Sequence, residues 1–504
     1  MSAQEAATGF SVAHRAAILL CVILTVTLYF TTLMIASTIL PQIQGGLSAT
    51  ADEVSWVMTF NLLATAVGTP TAGWLVARFG RRNVMVACMT LFAISTLGCA
   101  LSNSLTVLVF WRIVQGACGA PTVPIAQSIL LDAFPKHQHR MALGFFGMGV
   151  VIGPIIGPAL GGYVAENSGW QTAFLLLVPV ATAAALALRL FLPPDADRPP
   201  VRLDWVGFIS LSVAVSCLQL VLARGPRLDW YDSSEIIIET FIGILAFYFF
   251  ITHSLTAKQP FLNLRLLLNR NLAVGYILVG IFGMLNFSPM VLLPTLLRVY
   301  AGFPDSLVGE IIGARGLGGL IGFFLAMFIG RLDARVSMSI GFLMQVASGI
   351  WLMGMDYNVT PLGLSINGAI QGAAVGFVWI PLSIATFSDI PAKQLPEATG
   401  MFHLIRNITA SLFISLCIAE IISSSGSNYA RMTEFINEYN RAFYGGWSVE
   451  SLNDMASIAK EIGKQSALIG YINAFGLYTF ASAIAIPFCF LIAKPTPATA
   501  AKTA

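Results

Sequence analysis

Charge is what this chain has least of. Only 10% of its 504 residues are Asp, Glu, Lys or Arg, against roughly a quarter in ordinary globular proteins, too few to keep a surface of this size in water. The 27 basic and 24 acidic residues almost cancel, to +3, and no basic run with interleaved aromatics occurs, so there is no case for a nucleic-acid partner. Cysteine is sparse as well. The seven, Cys21, Cys88, Cys99, Cys118, Cys217, Cys417 and Cys489, all fall inside apolar runs and never at metal-ligand spacing, which makes them core residues rather than disulfides or ligands. No Ser/His/Asp set, HExxH, P-loop or metal cluster stands in any loop, which argues against an enzyme and calls for no cofactor or metal.

What the chain does have is apolar length. Hydrophobic residues make up 57% of it and its mean hydropathy is +0.80, values that point to lipid as the main solvent. About fourteen runs of membrane-crossing length lie near 16–40, 54–77, 83–101, 105–133, 141–164, 171–192, 203–223, 234–255, 272–299, 306–329, 336–354, 361–387, 397–423 and 467–493. The first is longer than the core of a signal peptide and lacks a small-residue cleavage pattern, so it reads as a retained span. Basic residues follow every second span: Arg78, Arg81 and Arg82, then Lys136 and Arg140, then Lys258, Arg265 and Arg270. Because such cations are held on the cytoplasmic side, this alternation with an even number of spans predicts both termini in the cytoplasm. Arg224 and Arg227 run against it.

The most distinctive stretch is 144–162. Gly149, Gly153, Gly157 and Gly161 recur every four residues and would line one nearly bare face of a helix bent by Pro154 and Pro158, the arrangement by which membrane helices approach closely. The run at 306–329 repeats the spacing with Gly309 and Gly313, and again with Gly318 and Gly322. Two polar segments punctuate the chain: the proline-rich, charged 192–202 closes a six-span unit, and 257–270 opens another. Residues 425–466, with Tyr429, Tyr439, Phe443, Tyr444 and Trp447, read as a polar loop outside the membrane holding short amphipathic helices, either a contact surface or a solvated cap.

Gly144, Gly153, Gly157, Pro158, Gly161 and Gly162, at these intervals, resemble the antiporter signature in the fifth helix of the major facilitator superfamily. The run from Gly73 through Arg78 and Gly80 to Arg81 and Arg82 resembles that superfamily's loop motif between helices two and three. Leu108, Arg112, Gln115, Gly116 and Gly119 resemble its fourth-helix motif, and Ser55-Trp56-Val57, Gly169-Trp170, the run 260–265, Arg315-Gly316-Leu317-Gly318 and Arg406-Asn407 resemble the fourteen-helix, EmrB-like drug:proton antiporter branch. The resemblance implies an all-α membrane protein with two six-helix bundles, 1–192 and 257–504, and two inserted helices in 193–256. It further implies alternating access in a bacterial cytoplasmic (inner) membrane, and helices five and ten meeting along a glycine seam. A periplasmic membrane-fusion adaptor and an outer-membrane channel are the partners such proteins take in double-membrane bacteria.

Two departures bear on energy coupling. Where the branch carries an aspartate near the end of the first helix this chain has Thr32, and the acid of the loop motif is Ala77. A proton relay needs a titratable group inside the membrane, so the usual carboxylates of the route are missing. The remaining candidates for the cavity and for coupling are Thr32, Arg112, Gln115, Glu310, Arg315, His403 and Arg406. An intramembrane arginine must face the bundle interior, carbonyl groups or water; Arg112 and Arg406 could clamp helices together or bind substrate, while the glycines around Arg315 favour the cavity. Glu310 could take over proton binding or lie at the outer water boundary. The reading is a secondary exporter of drug-like or small amphipathic compounds, in proton antiport. An uncoupled, anion or metabolite exporter on the same scaffold, or a sensor derived from it, stays open.

Overall fold

The computed structural model describes residues 11–194, 201–328, 333–436 and 452–493. Apolar runs too long for strands leave the backbone polar groups to be satisfied inside each segment, and in lipid the helix does this. In chain order the α-helices are α1 (Val12–Thr38), α2 (Leu40–Gly46), α3 (Ala51–Gly68), α4 (Ala72–Phe79), α5 (Arg81–Ala100), α6 (Leu105–Gly119), α7 (Thr122–Ala133), α8 (His139–Ser168) and α9 (Trp170–Leu175). They continue as α10 (Leu177–Phe191), α11 (Trp205–Arg224), α12 (Ser234–Thr256), α13 (Arg270–Thr295), α14 (Asp305–Phe328), α15 (Ala334–Met353), α16 (Pro361–Phe387), α17 (Leu395–Thr433) and α18 (Leu452–Cys489).

Among the described residues, 12 helical stretches are long and apolar enough to cross a bilayer. The runs expected at 54–77 and 105–133 supply two further crossings, each divided near a proline. Pro70 sits in a 3-10 turn between α3 and α4, and Pro121 separates α6 from α7. Proline removes a backbone donor and crowds the preceding turn, yet Thr69 and Ala120 keep right-handed helical dihedrals. The path therefore continues through both breaks. Side chains set the starts: Thr50 and Glu53 form a reciprocal capping box on α3, and Ser104, Asn269 and Thr360 each accept an amide hydrogen bond at the head of their helix. Gly80, at φ +84°, turns the chain between α4 and α5 in a single residue, a conformation that a side chain would strain.

One pairing pattern occurs twice. In the first bundle α1 packs on α8, α3 on α6, and α5 on both α6 and α10; in the second, α13 packs on α17, α14 on α16, and α15 on both α16 and α18. Internal repeats of this kind characterise secondary transporter folds. The inserted α11 and α12 pack on one another, and α11 touches both α3 and α17. Most of α12 stays outside: Phe241, Phe247 and Phe249 are exposed, as a lipid-facing helix requires. Asp204, just before α11, ties the pair to the next linker by accepting from His253 (2.8 Å) and from the Gly207 (3.1 Å) and Phe261 (3.0 Å) amides. The anomalous Arg224 is held by Glu235 at 2.7 Å and Glu239 at 3.3 Å, which offsets its charge locally.

The polar loop expected over 425–466 needs revision. Helix α17 runs for 39 residues and α18 begins at Leu452, so residues 425–433 and 452–466 extend two membrane helices instead of forming separate short ones. At 1.5 Å per residue α17 is about 58 Å long, well beyond a hydrocarbon core of roughly 30 Å. Tyr429 is on that extension and exposed. Tyr439, Phe443, Tyr444 and Trp447 lie outside the described residues.

Candidate functional site

The two bundles meet along α8 and α14. Cβ atoms built on Gly144, Gly147, Gly316 and Gly319 would meet Met327, Phe323, Ile155 and Val151 across the junction. These contacts lie toward the end of the molecule carrying Arg78, Arg81, Arg82 and Lys136, called here the basic end. Farther from the basic end along α14, a Cβ on Gly309 or Gly313 would meet nothing within 4 Å. The glycine face singled out from sequence points elsewhere. Gly149, Gly153, Gly157 and Gly161 abut Ile23, Phe30, Met34 and Ile35 of α1, within the first bundle, and Gly162 touches only Thr38 there. Likewise Gly318 and Gly322 pack on Ala369 and Ala373 of α16. The expected glycine-on-glycine seam between helices five and ten is thus a seam of glycine against larger side chains, and the antiporter-motif glycines serve contact within one bundle, Gly144 excepted.

Above the closed contacts lies a cavity shared by both bundles. Its first-bundle wall is apolar, with Phe30, Met34 and Ile155, and its second-bundle wall carries Asn286, Arg315, Trp379 and Arg406. Arg315 donates to the Asn286 backbone carbonyl at 2.6 Å and to its side-chain oxygen at 3.3 Å, while its Nε has no partner. Arg406 lies over the rings of Phe287 (5.8 Å) and Trp379 (5.6 Å) and donates to Asn407 Oδ1 at 3.1 Å. Trp379 Nε1 is buried without an acceptor. Among the described residues neither arginine has a carboxylate within ion-pair range. Planar cations in an otherwise greasy space suit a ligand with an apolar body and an acceptor or anionic head.

Thr32, Arg112 and Gln115 fall in a different place. They cluster inside the first bundle with Tyr29, Asn61 and Phe92. Arg112 is fully buried, bonds Gln115 and reaches the Val57 carbonyl; Gln115 in turn donates to Thr96 at 2.8 Å, and Asn61 donates to the Arg112 carbonyl at 2.7 Å. This network clamps α3, α5 and α6. Glu310 is exposed on the open side of α14 and does not line the main cavity.

Below the cavity floor polar bonds join the bundles in layers. His403 Nε2 donates to Gln127 Oε1 at 2.7 Å, and Gln127 Nε2 donates to Ser383 Oγ at 3.1 Å. Thr399 donates to the Pro124 carbonyl at 3.0 Å. At the basic end itself Arg81 pairs with Asp132 and donates to the Ala392 carbonyl at 3.1 Å. Gly73 lets α4 approach Glu397, whose backbone a Cβ would meet at 2.9 Å, and Glu397 accepts the Asn263 amide at 2.6 Å. Arg78 donates to the Val201 carbonyl and Arg82 to that of Arg189. Through Gly73 and Arg81 the loop motif therefore fastens the bundles to one another, while Arg82 bonds within the first. Sequence reasoning weighed charges and passed over Gln127, Asn286 and Trp379; amides inside apolar runs were the available signal, since they bond across helices.

Residues 22–414 match the profile of the Major Facilitator Superfamily. The chain belongs to that superfamily, in its EmrB-like branch. Its sequence is 31% identical over 470 residues to the multidrug export protein EmrB of Escherichia coli strain K12, covering 89% of this chain and 90% of that protein. It is 30% identical over 474 residues to EmrB of Haemophilus influenzae, covering 90% and 92%. The same fold occurs in the crystal structure of the human organic anion transporter MFSD10, at a TM-score of 0.59 and 15% identity, over 93% of this chain and 99% of that one. This major facilitator protein is a multi-pass membrane transporter.

Proposed function

We propose that this major facilitator protein exports amphipathic small molecules from the cytoplasm by alternating access, in antiport with protons. In this reading 1–192 and 257–504 are the two moving halves, 193–256 an inserted pair, and the basic end faces the cytoplasm with both termini. The observation that carries it is the cavity itself. It is shared by the two halves, fastened shut toward the basic end by the contacts and bonds described above, and has free space beside Gly309 and Gly313 on its other side, the form an exporter takes after releasing its load outward. The E. coli and H. influenzae relatives, named multidrug export proteins, support the direction. Unpaired Arg315 and Arg406 favour substrates with neutral or anionic heads over cations. The same proposal places the extended ends of α17 and α18 on the periplasmic side, where a membrane-fusion adaptor leading to an outer-membrane channel would grip.

The test is accumulation of a fluorescent amphipathic carboxylate by inside-out vesicles containing the protein, with and without an acidic interior. The proposal expects gradient-driven accumulation that a gradient-collapsing ionophore abolishes. Flux indifferent to the gradient would remove the antiport.

A further inference from the structure

Among the described residues no aspartate or glutamate is buried, and His403 is the one buried histidine. It sits in the layer that shuts the cavity toward the basic end, with the rings of Trp379 and Phe402 each at 5.7 Å. Because Gln127 gives its amide hydrogen to Ser383, its oxygen takes the His403 Nε2 hydrogen, and Nδ1 is left as a buried lone pair without a partner. Every bond in this layer joins a side chain of the first half to one of the second, so the neutral ring is bonded only while the halves are closed here.

We infer that His403 is the coupling site, binding a proton while the cavity faces outward and thereby driving the chain to open toward the cytoplasm. The inference rests on the proton-antiport reading and deepens it. Adding a proton to Nδ1 creates an N–H with no acceptor and a second cation one helical turn from Arg406. Among the described residues no carboxylate pairs with it: α7 contributes Gln127, and α16 contributes Trp379 and Ser383. Tyr29 of α1 is bonded to Thr65, and Tyr276 of α13 to the Ala398 carbonyl. Glu397, on the same helix, is about 9 Å nearer the basic end and already bonded to Asn263. An unpaired charge held in such a layer is costly, and separation of the halves would hydrate it. The proton that adds to the Nδ1 lone pair from outside leaves from the same ring to the less acidic cytoplasm, after which the neutral ring can bond Gln127 again. One proton crosses per cycle, and no carboxylate at position 32 is needed.

The experiment compares wild type with His403→Gln in proteoliposomes, reading each protein's flux with an imposed pH gradient divided by its own flux without one. Wild type should show a ratio of about five or more and the variant a ratio near one. A variant ratio equal to that of wild type overturns the inference, whereas a wild-type ratio of one removes the antiport reading beneath it. If the variant is silent in both conditions, the Trp379 emission of wild-type protein decides, taken as the difference from Trp379→Phe. A step in that emission on acidification that His403→Gln abolishes supports the assignment; a profile that is flat in wild type, or a step that His403→Gln leaves in place, overturns it.

Discussion

Gly157 is packed against Met34: a Cβ built on it would stand 2.6 Å from Met34 Cβ and 3.0 Å from the Thr31 carbonyl oxygen. The bare face of α8 thus lets two helices of one bundle touch, and enlarging it should damage the bundle rather than jam the motion between halves. Gly157→Leu is expected to destabilise by about 1–3 kcal/mol or more, as overpacking does. Thermal unfolding of the purified variant in detergent, against wild type, reads this directly; unchanged stability with blocked transport would restore the sliding seam.

The junction between halves depends instead on Gly316, where a Cβ would meet Ile155 Cγ1 at 2.1 Å. Gly316→Leu should hold the basic end open without unfolding either bundle. Alkylation of a cysteine placed at Ser383, buried in the closed layer, should be at least about tenfold faster in this variant, in a background lacking the native cysteines. Equal rates would mean that this contact does not govern closure.

Arg315 reaches into the cavity with an unpartnered Nε. Its replacement, Arg315→Gln, removes a charge-assisted bond of about 1.5–3 kcal/mol. It should raise the KM for an amphipathic carboxylate by about tenfold or more and alter that for a neutral analogue far less. Glu310→Gln, outside the cavity, should leave the gradient dependence of transport in place.

Thr32 lies in one tightly packed cluster with Arg112, which has no carboxylate partner among the described residues. Thr32→Asp should therefore fold, because the new acid meets a cation already buried there. Its pH–rate profile should gain an ionisation that wild type lacks. An unfolded variant would show that the cluster cannot take the charge.

Asp204 sets a pH limit outside the membrane. Burial alone would raise its carboxyl, but the Gly207 amide, His253 and the Phe261 amide together outweigh that and hold it below the usual range. A depressed folded value means the stabilisation is present above the unfolded value of about 3.9 and is lost as pH falls through the folded one. Thermal stability measured from about pH 3 to 7 should decline at the acid end, and Asp204→Ala should lower the plateau and flatten that decline.

Much of this architecture was legible because lipid leaves a sequence few choices. The crossings, the basic loops and the motif glycines follow from apolar length, cation placement and four-residue spacing. The direction in which a glycine face points does not, since spacing says that Gly153 and Gly157 lie together and nothing about α1 being their neighbour. Arg315 and Arg406 were found because a membrane charge is conspicuous, whereas Gln127 and Trp379 matter through partners hundreds of residues away. The ends of α17 and α18 were misjudged because polar residues can extend a helix beyond the bilayer as readily as they end it.

The central claim is that two halves alternate about a shared cavity, and paired distances test it most directly. Spin labels at Lys136 and Lys393 report on the basic end, and labels at Glu166 and Glu310 on the other; all four residues are exposed. On shifting from pH 8 to about pH 5.5, the first distance should lengthen as the second shortens. Two distances that stay fixed, or that grow and shrink together, would contradict the account.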